Sequence, residues 1–108
     1  MDHIEIGGVQ HPLLFNFNSI REIMQIAGME NFSELTAQRD LGKSMDFALQ
    51  CAFYGILEGY ESREEKTPFK TIQKLGASLK RFSELSPALD GFTQAINDFF
   101  ESDETEGK

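Results

Sequence analysis

The chain has 108 residues, with 18 Asp and Glu against 10 Lys and Arg for a net charge of −8, ten Phe and one Cys. That length suits one domain and is too short for two cores, while the acidic balance opposes binding to nucleic-acid phosphates or anionic lipid. Cys51 alone rules out an internal disulfide framework, no run of about 18 apolar residues offers a bilayer span, and MDHIEIGG lacks the basic and apolar regions of a signal peptide, so a soluble cytoplasmic protein is expected.

Ile4 and Ile6 alternate with Glu5, Gly7-Gly8 suits the positive φ angles of a two-residue turn, and Val9 begins a second alternating run. The spacing predicts a hairpin over 3–17. Pairing Ile6 with Val9 sets Ile4 opposite His11 and gathers Ile4, Ile6, Val9, Leu13 and Phe15 on one face, a lid for a helix. Pro12 lacks a backbone donor and suits an edge strand.

Asn18 or Ser19 is the expected cap of a helix over 19–27. Ser19-Ile20-Arg21-Glu22 matches the capping box, Ile20, Ile23, Met24 and Ala27 follow at helical spacing, and Gly28 terminates. A shorter helix is predicted over 32–40 around Phe32 and Leu35. The longest apolar stretch follows, a helix over 44–62. At 100° per residue Asp46, Gln50, Glu58 and Glu61 share one third of its circumference, and Met45, Ala48, Leu49, Ala52, Phe53, Ile56 and Tyr60 lie opposite. With so narrow a strip for water, it reads as the buried central helix, covered from at least two directions.

Thr67-Pro68 reads as the start of a helix over 68–83, continued by Phe69, Ile72, Leu75, Leu79 and Phe82. Ser86-Pro87 opens a last helix over 87–101 with Leu89, Phe92, Ile96 and Phe99 on one face. Residues 102–108 are expected to be a disordered acidic tail. The fold class is therefore mainly α: an N-terminal two-stranded β-hairpin packed on a small bundle of four or five helices, one domain over 1–101.

Reactive groups are sparse. The hairpin register puts His3 and His11 on opposite faces, too far apart in direction to chelate one metal, and each reads as a surface or partly packed histidine. Glu58, Glu61 and Glu65 form a solvated stripe without the Glu-x-x-His partner of a carboxylate metal site. Cys51 borders the apolar arc of the central helix and reads as a packed thiol. Gly7-Gly8 lacks the spacing of a phosphate loop. No enzymatic activity, cofactor or metal is expected. Lys66, Lys70 and Lys74, at i, i+4 and i+8, form a candidate charged contact surface within residues 63–81, where six bases meet two acids. Residues 98–106 hold five acids and no base. A chain with basic and acidic ends can pair with itself, as a homo-oligomer, or with a mixed-charge partner.

The pattern Ile4-x-Ile6-Gly7-Gly8-x-x-x-Pro12-Leu13-x-Phe15-x-x-Asn18-Ser19-Ile20-Arg21-Glu22 resembles the opening of the tail assembly chaperones of long-tailed, siphovirus-type phages and prophages. In that family a hairpin leads through Leu-x-Phe into a first helix, and the order of elements here is similar over about residues 4–100. The resemblance implies a non-enzymatic protein of the host cytoplasm that binds the tape measure protein and helps recruit tail tube subunits. The expected client groove lies between the first helix (Ile20, Ile23, Met24) and the last (Phe92, Ile96, Phe99, Phe100), because adjacent Phe99 and Phe100 cannot both sit centrally on one face. The alternatives are a tail terminator or head-tail connector subunit retained in the particle, and an acidic inhibitor that mimics DNA; the basic segment 63–81 weighs against the second.

Overall fold

The computed structural model describes residues 2–27 and 41–106. Strands β1 (Asp2–Ile6) and β2 (Val9–Leu13) pair antiparallel, followed by α1 (Phe17–Ala27), α2 (Leu41–Ser62), α3 (Ile72–Ser78), a 3-10 turn (Phe82–Leu85) and α4 (Ser86–Glu106). The chain is mainly helical with an N-terminal hairpin, as its patterning predicts. The helix expected over 32–40 lies outside the described residues.

Gly7 and Gly8 adopt φ values of 58° and 88°, a region that costs other residues strain, and this turn fixes the pairing of Ile6 with Val9 and of Ile4 with His11. Ile4, Ile6, His11 and Leu13 point into the core from the shared face. Val9 shares that face but is 56% exposed: it sits at the turn, where none of the described elements covers it.

The cap of α1 lies earlier than the Ser19 box implies. Asn16 is the cap: its Oδ1 accepts the Ser19 N–H and the Ser19 hydroxyl accepts the Asn16 N–H, both at 3.0 Å, a reciprocal box with Ser19 at its third helical position. Helix formation therefore starts at Phe17. Asn16 Nδ2 also donates to Glu58 Oε1 at 2.9 Å, so one side chain both starts α1 and ties it to α2.

The hairpin lies directly on α2. A Cβ on Gly59 would come within 2.7 Å of the Pro12 carbonyl carbon and oxygen, and one on Gly55 within 2.7 Å of Leu13 Cδ1 and 2.9 Å of Phe15 Cζ. At this distance the Leu14 N–H donates to the Gly55 carbonyl at 3.0 Å, a bond between a loop and the side of a helix. Phe15 is wedged between α2 and α4, where a Cβ on Gly91 would lie 2.9 Å from its ring. It meets Phe92 edge to face at 5.9 Å, and Phe92 meets Phe47 likewise at 5.4 Å. Ile23, Ile56, Leu75, Phe92 and Ile96 complete a core in which each such side chain is worth about 1.5–3 kcal/mol by burial.

Helix α2 ends in a Schellman motif: the Glu65 N–H reaches the Tyr60 carbonyl and the Glu64 N–H the Glu61 carbonyl, each at 3.0 Å, with Glu64 at φ 59° where glycine is usual. The helix expected over 68–83 is not formed as one element. Thr67 Oγ1 accepts the Phe69 N–H at 3.2 Å, which turns Phe69 into the core, and Thr71 takes the capping role by accepting the Lys74 N–H at 3.2 Å. Helicity is then confined to Ile72–Ser78, and the Leu79–Arg81 segment is extended before the 3-10 turn. At the other end, α4 continues to Glu106 where a disordered tail over 102–108 is expected from composition; its backbone is helical through five of those residues.

Candidate functional site

Two polar anchors hold the hairpin in place and define one border of the candidate site. The Glu84 carboxylate accepts three main-chain N–H groups: Gly7 at 2.8 Å, Lys80 at 2.6 Å and Arg81 at 2.7 Å. The N–H groups of Gly7, Arg81 and Lys80 hold its carboxyl below the usual range. One side chain thus clamps the hairpin turn to the segment joining α3 and the 3-10 turn.

The second anchor corrects the reading of His11 as a surface or partly packed residue. Its ring is buried, with Nδ1 2.7 Å from the Tyr60 hydroxyl and the Phe69 ring 5.0 Å away. Burial lowers its pKa, favouring the neutral imidazole. Gln50, placed on the water-facing strip by the helical wheel, is also buried; its Nε2 donates to Asp46 Oδ2 at 3.1 Å and its Oε1 has no partner among the described residues. Glu58 is half-buried and bonded to Asn16, so the acidic stripe with Glu61 and Glu65 does not exist as a solvated row, and Glu65 lies beyond the helix. Cys51 is fully buried and burial pushes its thiol pKa up, which suits packing and not nucleophilic attack.

Beyond the Glu84 clamp lies an open apolar cavity of about 430 Å³. Met45 and Leu49 of α2 form one wall, Gly76 and Leu79 the second, and Phe82 and Leu85 of the 3-10 turn the third. Its lips are apolar and solvent-facing: Met45 is 49% and Phe82 45% exposed. Asp46 stands on the α2 rim and Lys80 and Arg81 on the opposite rim. The cavity arises because α3 is only seven residues long and the chain straightens after it, so nothing among the described residues fills the space beside the first half of α2. A Cβ on Gly76 would meet only Leu49 Cδ2, at the ordinary distance of 3.6 Å.

The groove expected between the first and last helices is not open in the structure. Of the residues proposed to line a groove between the first and last helices, Ile20, Ile23, Phe92 and Ile96 are buried in the core and cannot present a surface in this conformation. Met24 is half-buried against that core. Phe99 is 41% exposed and contacts Phe17 with ring centroids 6.0 Å apart; Phe100 lies outside the residues whose side chains are described. Lys66, Lys70 and Lys74 are all exposed, but only Lys74 is helical, so the i, i+4, i+8 stripe is not formed. Periodicity puts Met45 and Phe82 on apolar faces, but it cannot tell an apolar residue that reaches the core from one that stops at a gap beside it.

Among the described residues no group of three or more His, Cys, Asp or Glu is placed to hold a metal ion, and no helix is long and apolar enough to cross a membrane. No protein-family model matches the chain, and no curated protein or solved structure is significantly similar to it.

Proposed function

We propose that this chain is a non-enzymatic assembly chaperone that holds an amphipathic helical client. On the resemblance of residues 4–22, the client is the tape measure protein of a long-tailed phage, to which tail tube subunits are recruited in the host cytoplasm. The observation that carries the reading is the open cavity with Met45 and Phe82 at its lips, on a domain of net charge −8. Exposed apolar surface of this kind marks binding sites, and a high net charge keeps a complex with an aggregation-prone client in solution. Co-expression with a tape measure fragment tests it. The reading predicts that the fragment becomes soluble and co-purifies with the chain, and that finished particles lack the chain. Recovery of the chain from purified particles would instead make it a structural tail subunit.

A further inference from the structure

We propose that the outer edge of β1 pairs with the same edge of a second copy of this chain. The two strands run antiparallel about Ile4, His3 of each copy faces Glu5 of the other, and two hairpins become one four-stranded sheet.

The turn decides which groups face outward. Gly7 and Gly8, at φ 58° and 88°, form a two-residue type I′ turn, which makes Ile6 and Val9 a hydrogen-bonded pair. Alternation along the register makes Ile4 and His11 the next such pair, so the N–H and C=O groups of His3 and Glu5 point away from β2. Neither main chain has a partner on that side among the described residues. Gly7, the next position along this edge, is already occupied, because its N–H donates to Glu84 at 2.8 Å. The open edge is therefore no longer than β1 itself, which carries no proline, lysine or bulge to deter pairing. The other edge of the hairpin is shut: Pro12 has no N–H, and its carbonyl lies against α2, where a Cβ on Gly59 would come within 2.7 Å of it.

The order of residues selects a second copy as the occupant. Only outward-facing positions can form the hydrogen-bonded pairs of a new ladder, so two antiparallel β1 strands meet as His3 with Glu5 and Glu5 with His3 across a two-fold axis at Ile4. A slip in either direction sets His3 on His3 or Glu5 on Glu5 and shortens the ladder, so charge and hydrogen bonding favour the same register. Both side chains are exposed on the face away from the core. Arg63 Nη2 stands 3.3 Å from His3 Nε2, and Arg63 makes no ion pair among the described residues although Glu61 and Glu64 are close in sequence, so a cation awaits the incoming carboxylate. Glu5 accepts one bond on Oε1, from Gln10 Nε2 at 3.3 Å. Ile4 is 1% exposed, so the joint offers no apolar surface to an unrelated segment. Two chains of charge −8 repel each other, but salt screens that repulsion beyond about 8 Å, and the charge pairs act at contact.

Sedimentation of the full chain over a concentration series tests the proposal. The interface is small, so dimers are expected at about 0.5 mM and monomers at about 5 μM. Glu5→Lys should weaken self-association at least about tenfold, and so should His3→Glu combined with Arg63→Glu. An equimolar mixture of these two variants should regain the dimer, since every facing position then carries opposite charges. Circular dichroism confirms that each variant is folded. In amide exchange, His3 and Glu5 should gain protection as concentration rises, while Ile4 and Ile6, already bonded to β2, should change little. A wild-type chain that stays monomeric at about 0.5 mM overturns the proposal. So does self-association that Glu5→Lys leaves unchanged, or that leaves the His3 and Glu5 amides as they are in the monomer. Protection of the same two amides by an unrelated extended peptide, without self-association, would make the edge a general strand acceptor and overturn the assignment to a second copy.

Discussion

The two halves of α2 meet their neighbours differently. Toward its C-terminal end, Gly55 and Gly59 let the hairpin approach until backbone touches backbone, and a loop N–H bonds to a helix carbonyl. Toward its N-terminal end, Met45 and Leu49 face a short helix and an extended segment across a cavity of about 430 Å³. Absence of side chains closes the first seam, and the large side chains at the second do not fill the space beside them. A long apolar helix can therefore be sealed by its neighbours at one end and border an open cavity at the other.

The largest effect is expected at the closed seam. Gly59→Ala places a methyl group 2.7 Å from the Pro12 backbone, which cannot yield as a flexible side chain would. It should cost about 1–3 kcal/mol by overpacking despite alanine's better helix propensity, read as a fall in the urea midpoint. An unchanged midpoint would mean the hairpin is not seated on the helix.

Glu84 joins the closed half to the open one, and its protonation should loosen that joint. Because its folded pKa is depressed below the unfolded value of about 4.3, its contribution to stability is present above that pH and is lost as pH falls through the folded value. Glu84→Gln should flatten this part of the acid-stability profile and lower stability at neutral pH. His11 acts in a higher window: burial depresses its pKa, so stability should decline as pH falls from about 6.5 toward the folded value. That earlier slope should persist in Glu84→Gln and disappear in His11→Phe, as followed by denaturant titration at successive pH values.

Gly76→Ala gives the opposite sign to Gly59→Ala. With only Leu49 Cδ2 nearby at 3.6 Å, the methyl group fits at the cavity wall and should stabilise by up to about 1 kcal/mol through helix propensity. A loss would show that the cavity wall is closed in solution. Smaller still, Glu64→Gly relieves a left-handed residue in the turn leading from the tight end of α2 toward α3. It should shift the thermal midpoint upward by the equivalent of about 0.5 kcal/mol after the entropic cost of glycine.

The hairpin was legible in the sequence because its turn is chemically unambiguous: Gly7-Gly8 sets the register, and the register sets the face. The closed seam was not. Helical periodicity weighs large apolar side chains, and Gly55 and Gly59 have none, although Ala48, Ala52, Gly55 and Gly59 recur at spacings of four, three and four, the signature of a face prepared for close approach. The segment 68–83 misled for a different reason. Thr67-Pro68 and Thr71 are competing starts, and the contact of Phe69 with the His11 ring of the hairpin, which also meets Tyr60, is tertiary information no local pattern carries. The cavity results from that break in the helix, so it was hidden with it. Gln50 likewise followed its wheel position to the polar strip, while the surrounding elements buried it.

The central claim, one closed and one open flank on the same helix, is tested most directly by native-state hydrogen exchange at two amides just beyond the ends of regular elements. The Leu14 N–H donates to Gly55 across the closed seam, and the Leu79 N–H donates to Gly76 beside the cavity at 3.2 Å. Leu14 should exchange through an opening close to global unfolding, as slowly as the amides of central α2, with Leu79 at least about tenfold faster. Equal protection at the two sites, or faster exchange at Leu14, would contradict the account.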